Sequence, residues 1–361
     1  MGGSGVSGYA AINARVRAMY SALLSPGELA ALSEAEDFPA LVAALKHTAY
    51  GPYLESLSEK EITPRRVLMQ IKGRLAAAYY SVIHMAPDAA RPLLLQLYRY
   101  FEVGNLKAIL RGIVTGPAAD EEGSLWEHVR EVLFPLGTLT VLPAQAMVES
   151  GSVAAAVELL GGTRYEETLA FAMKRYSAEQ NLFPLEVALD LGFWRQLWSE
   201  AKQLSGLDRE YAVRIAGALM DMNNLMWAIR YRVYHHLSEE ELINYTLPFG
   251  YHVRDEDVRA IAAGSDIPSV LRRIYPDLTD VAAMLEEPQS GLPLLEARLK
   301  RYLVQHCKAA FAGNPFHVGV PLAFLVLTDI EIQDLTILIE AKSSRLADED
   351  YRPFMLQVPS R

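Results

Sequence analysis

Apolar residues recur at helical spacing along most of the chain. Ile12, Val16, Met19 and Leu23 fall three or four residues apart, with Arg15 and Arg17 between them, which predicts a helix over 9–24 that buries one stripe. Ser25-Pro26-Gly27 breaks it. Leu29, Leu32, Leu41 and Leu45 then predict two short helices before the turn at Thr48-Ala49-Tyr50-Gly51-Pro52. Thr63-Pro64 opens a longer helix, a capping residue followed by proline at the first helical position, and Leu68, Ile71 and Leu75 continue it. After Pro87 and Pro92 comes a helix through Glu102 that ends near Gly116-Pro117. Runs alternating β-branched and polar residues between turns are missing, so the expected fold is all-α.

One stretch of this pattern returns twice. Glu102-Val103-Gly104-Asn105-Leu106 is followed by Asp221-Met222-Asn223-Asn224-Leu225 and Glu331-Ile332-Gln333-Asp334-Leu335: acid, apolar, any, amide or acid, leucine. The apolar stripe continues to Leu110, Ile229 and Ile339. The copies stand 119 and 110 residues apart, beyond the roughly 20 to 50 residues of solenoid repeats and enough for a small helical domain each. Other landmarks recur in the same order. Pro135-Leu136-Gly137 and Pro248-Phe249-Gly250 echo Pro26-Gly27, and Thr163-Arg164-Tyr165 echoes Thr48-Ala49-Tyr50; the counterpart around Leu271 and Tyr275 is degenerate. Pro64, Pro184 and Pro293 each open a helix in this scheme and precede the acid by 38, 37 and 38 residues. The expected organisation is a flexible leader over 1–8 and three similar helical-bundle units over 9–117, 118–236 and 237–361.

Composition narrows the function. Half of the 361 residues are hydrophobic (51%) against 22% charged, as in a folded globular protein. The net charge of −10, without a lysine or arginine run, lacks the footprint of phosphate-backbone binding, so no nucleic-acid partner is expected. A single cysteine, Cys307, excludes an intramolecular disulfide and fits a reducing, cytoplasmic setting. The uncharged apolar run over 318–328 is 11 residues long and contains Pro321, whereas a spanning helix needs about 20. No transmembrane span is expected.

Candidate chemistry is sparse. Gly3-Ser4-Gly5-Val6-Ser7-Gly8 matches G-x-G-x-x-G but has no preceding strand, and no P-loop, H-E-x-x-H or G-x-S-x-G motif occurs. His235-His236 are adjacent, so on a helix they do not face one another; the same holds for His306 and Cys307. No metal or cofactor site and no catalytic residue is expected. The candidates are the repeated polar groups, as structural or partner-facing residues: Glu102, Asn105 and Arg111; Asp221, Asn224 and Arg230; Glu331, Asp334 and, nearest in the third copy, Lys342. They either hydrogen-bond within each bundle at the border of the apolar stripe or line a face that grips a partner.

The threefold pattern, with Lys107-Ala108-Ile109-Leu110-Arg111 completing its first copy, resembles the subunit d family of rotary ATPases, known as the C subunit in the prokaryotic vacuolar-type enzyme. The third copy departs from it: Thr336 and Glu340 stand where basic residues are expected. The resemblance implies three helical domains around a pseudo-three-fold axis, forming a funnel with a central cavity. It implies a non-catalytic, torque-transmitting socket, one copy per complex, linking the central shaft subunits to the membrane rotor (proteolipid) ring for proton or sodium transport. Such a protein is peripheral, on the cytoplasmic face of the membrane. Two other readings are a generic all-α scaffold with a concave partner site and a helical enzyme such as a terpenoid synthase, for which Asp221-Met222-Asn223-Asn224-Leu225 is too poor in carboxylates.

Overall fold

Capping chemistry sets where many of the helices begin. Ser25 and Ser124 each accept a hydrogen bond from the backbone of a glutamate three residues on, whose carboxylate returns to the serine N–H. Thr63 accepts from the Arg66 N–H, with Pro64 in the first turn where its missing donor costs nothing. The computed structural model describes residues 4–116, 123–235 and 238–357. Among them there are helices and turns and no strand, so the all-α expectation holds. The long helices are α1 (Ser4–Tyr20), α2 (Pro64–Met85), α3 (Arg91–Thr115), α4 (Phe183–Gln203), α5 (Gly206–Arg230), α6 (Pro288–Ala309) and α7 (Gly319–Ser344).

Two boundaries differ from expectation. α1 starts at Ser4, so the helix expected from residue 9 also takes in Ser4 to Gly8. Once a helix is nucleated each further turn is cheap, which favours extension into a weak sequence. Pro293 does not open a helix: Pro288 does, and Pro293 lies inside α6, where it forfeits one backbone hydrogen bond. Residues 1–3, His236 with the side chain of His235, and the expected unit boundaries at 117/118 and 236/237 lie outside the described residues.

The chain packs as two compact units, Met1–Arg91 with Trp198–Arg361, and Pro92–Leu197. In the larger unit α7 is the core: α1, α2, α5 and α6 all pack on it, and every residue from His317 to Thr328 is buried. Apolarity on all faces thus marks an enclosed helix here, and no described helix is long and apolar enough to cross a membrane. In the smaller unit α3 buries Leu94, Tyr98, Leu106 and Ile109. Phe101 stacks on Phe134 at 4.1 Å between ring centres, and the Tyr98 hydroxyl donates to the Leu136 carbonyl at 2.9 Å.

Close approach in the larger unit requires glycine at one helix contact. On α6, a Cβ at Gly291 would overlap the Met284 carbonyl oxygen of the short helix Val281–Glu286. Gly291→Ala is expected to separate the two and cost about 1–3 kcal/mol, seen as a lower urea midpoint with little change in slope. An unchanged midpoint would contradict this packing.

Candidate functional site

The repeated acids and amides are buried, between 0% and 7% exposed. In the first copy, α3 carries Glu102. Its carboxylate accepts from the Thr140 hydroxyl (2.8 Å), the Val141 N–H (2.7 Å) and the Tyr165 hydroxyl (2.6 Å). In the second, α5 carries Asp221, which accepts the N–H groups of Tyr251, His252 and Val253 at 2.8, 2.7 and 3.1 Å. Gly250 makes this wrap possible, because a Cβ there would overlap an Asp221 oxygen. In the third, α7 carries Glu331, which accepts from the Leu24 N–H (2.5 Å), the Tyr50 hydroxyl (2.7 Å) and the Arg74 guanidinium (2.8 Å). Glu102 and Asp221 therefore each hold a segment later in the chain, and Glu331 holds segments near the N-terminus.

The partner groups repeat as well. Thr48 and Thr163 each donate their hydroxyl to a carbonyl three residues back and accept the N–H of Tyr50 and Tyr165. These two tyrosines reach Glu331 and Glu102. The echo of Thr-x-Tyr was legible; its link to the acids was not, because no local spacing joins residues 63 or 281 apart. Arg74, which also donates to the Ala22 carbonyl at 2.7 Å and lies over the Tyr50 ring, has no sequence signal at all.

One turn along, the amides divide donor and acceptor. Asn105 donates to the Phe134 carbonyl (2.8 Å) and accepts its N–H (2.7 Å); Asn224 does the same with Leu247 at 2.9 Å each way. Asp334 faces two donors instead, the N–H groups of Leu356 and Gln357 at 2.6 and 3.1 Å. An amide suits a residue offering both groups, and a carboxylate suits two donors. The departure from amide to acid in the third copy follows from that.

Burial dominates the electrostatics. It lifts the Asp221 and Asp334 carboxyls to about 6 against the opposing pull of their N–H donors. Burial likewise raises Glu331, resisted by Tyr50, Arg74 and the Leu24 N–H, and raises Tyr50 and Tyr165. Among the described residues no group of three His, Cys, Asp or Glu side chains is placed to hold a metal ion.

The basic candidates are less buried than the acids and amides, Arg111 being exposed and Arg230 and Lys342 half-buried. Arg111 forks onto Glu186 at 2.5 and 2.8 Å, Arg230 meets Glu296 at 2.5 Å, and Lys342 lies 3.8 Å from Asp348 and over the Tyr351 ring. Arg111 is 60% exposed, so water screens the pair, and Arg111→Ala is expected to cost no more than about 1 kcal/mol. A larger drop in the denaturation midpoint would give this pair a role that its exposure does not.

The chain is 25% identical to the C subunit of the A-type ATP synthase of Methanocaldococcus jannaschii, across 97% of this chain and 86% of that protein. It is 24% identical to the C subunit of the Thermococcus onnurineus A-type ATP synthase, across 96% and 88%, and 22% identical to that of Pyrococcus furiosus, across 97% and 90%. The profile of the ATP synthase (C/AC39) subunit family matches residues 12–354, nearly the whole length, and the chain belongs to that family.

Proposed function

We propose that this chain is the non-catalytic central-stalk socket of a vacuolar-type rotary ATPase or synthase. In this role three repeated helical walls receive the end of the shaft, rest on the membrane rotor ring and carry torque between them, one copy per complex at the cytoplasmic face. The observation that carries the reading is the fate of the repeated polar groups. All six acids and amides are spent on intramolecular hydrogen bonds that lock one segment to the next. Such groups supply rigidity rather than chemistry, and a torque-bearing part must resist shear through many fixed contacts. The names of its relatives, C subunits of A-type ATP synthases, support the same role.

The test is the complex reconstituted with and without this chain. Loss of coupling between ATP hydrolysis and ion transport, with hydrolysis by the catalytic head retained, is the expected result. Coupled pumping in its absence would end the reading. A map of the intact complex then places the chain between shaft and ring or elsewhere.

A further inference from the structure

Between α6 and α7 the chain turns through 310–318 and ties three helices of the larger unit together. On α1, Asn13 donates to the Pro315 carbonyl and Arg17 to the Phe311 carbonyl at 3.1 Å. The Val318 N–H donates at 2.7 Å to Asp208, in the first turn of α5. His317 sits within this tie, fully buried, its ring stacked on that of Tyr211 with 3.7 Å between centres and 6° between planes. Its Nδ1 accepts the Gly319 N–H at 3.1 Å, which leaves the ring's own proton on Nε2. Nε2 is buried and has no hydrogen-bond partner among the described residues.

This ring has no slack. A Cβ at Gly319 would overlap both Tyr211 and His317 Nδ1, so the first residue of α7 closes directly onto the imidazole. A proton on Nδ1 would set one N–H against another and place a positive charge out of reach of water. The first turn of α7 is also the part that depends most on such ties, because the leading N–H groups of a helix have no partner inside it.

Burial pulls the His317 pKa below its ordinary value of 6.5 and Arg214 adds to that, while Asp208, the Asn314 carbonyl and Glu210 resist. The three charged groups lie on α5. From α1 come Asn13 and the phenol of Tyr9, which burial keeps neutral by raising its pKa. Residues 318–328 of the chain carry no ionisable side chain. With the folded pKa below the unfolded one, the neutral ring's contribution is whole above 6.5 and is lost as pH falls below it. Asp221 and Asp334 respond in the opposite sense, since burial raises their carboxyls.

We propose that His317 is an acid-released latch: protonation at Nδ1 frees the turn over 310–318 and the first turn of α7 from α1 and α5, while the rest of the unit stays folded.

Hydrogen exchange of the full chain, read at the Val318 and Gly319 amides and corrected for the intrinsic rate, tests the latch between pH 7 and pH 5. Exchange is expected to rise several-fold in acid, with a ceiling of about 25-fold set by a free ring that titrates at 6.5. His317→Asn keeps an acceptor near the place of Nδ1 and cannot titrate, so it should remove the rise. Asp208→Asn leaves the imidazole in place and should retain it; loss of the rise in that variant puts the switch at Asp208 and overturns the proposal. Should His317→Asn fail to fold, a proton NMR titration of the parent chain decides. The latch requires the His317 ring to take its proton only as the Val318 and Gly319 signals change with it. A ring that titrates at 6.5 or above with those amides unmoved overturns the proposal, as does exchange equal at the two pH values.

Discussion

Replacing Glu331 with alanine is expected to destabilise the larger unit by about 3–5 kcal/mol, the cost of leaving a buried charge without its partner. Glu331 has no exposed side-chain surface and Arg74 retains only 12%. The substitution strips the guanidinium of its counter-charge and at the same time orphans the Leu24 N–H and the Tyr50 hydroxyl. Arg74 keeps the Ala22 carbonyl and the Tyr50 ring, neither of which neutralises it. Urea unfolding followed by circular dichroism measures the loss, and hydrogen exchange at the Leu24 amide locates it. The pairing itself is isolated by a cycle. Glu331→Met with Arg74→Met should cost less than the sum of the two single changes, because the double variant leaves no lone charge. A cost below about 1 kcal/mol, the range of exposed pairs, would mean that this clasp does not hold α7 to the N-terminal segment.

What the sequence disclosed follows from the range of the forces involved. Local geometry writes itself into short spacings. Thr63-Pro64 caps α2 as expected, and Val103, Leu106 and Leu110 are all buried along α3. The relationship of the three acids was equally visible, since a repeat is a property of the chain alone. Their partners were not. Glu102, Asp221 and Glu331 were expected at the border of an apolar stripe, yet all are buried, because backbone donors from a later or earlier segment satisfy them there. Periodicity reports which face of a helix is covered; it does not report what covers it. Pro293 failed for a related reason: proline marks a favoured helix start, but tertiary packing of α6 on its neighbours outweighs one lost hydrogen bond.

The distinction between amide and acid, one atom in size, has the second largest expected consequence. Asn224→Asp should destabilise the protein by about 3–5 kcal/mol, although an acid occupies the matching place in the third copy. Asn224 donates its amide to the Leu247 carbonyl at 2.9 Å and to the Phe249 carbonyl at 3.3 Å. A carboxylate there would face two oxygens with no proton to offer and would lie fully buried, one turn from Asp221. Protonation relieves the repulsion by holding the new carboxyl neutral, and that carries its own free-energy cost at neutral pH. Relief by acid gives the prediction a second handle. The new carboxyl's folded pKa is raised above its unfolded value, so its contribution is most favourable below the unfolded pKa and is lost as pH rises through the folded one. The gap between Asn224→Asp and the parent chain should therefore narrow from pH 7 towards pH 5. Asp334→Asn is the converse case: its amide nitrogen would be set against a donor, Leu356 or Gln357, and because burial raises the Asp334 carboxyl to about 6, what this acid contributes is lost as pH rises through that value, so the cost of the change should be larger in acid than at neutral pH. If Asn224→Asp were tolerated at pH 7 with an unchanged urea midpoint, the donor-and-acceptor account of the amide would be wrong, and the third copy's acid would need a different cause.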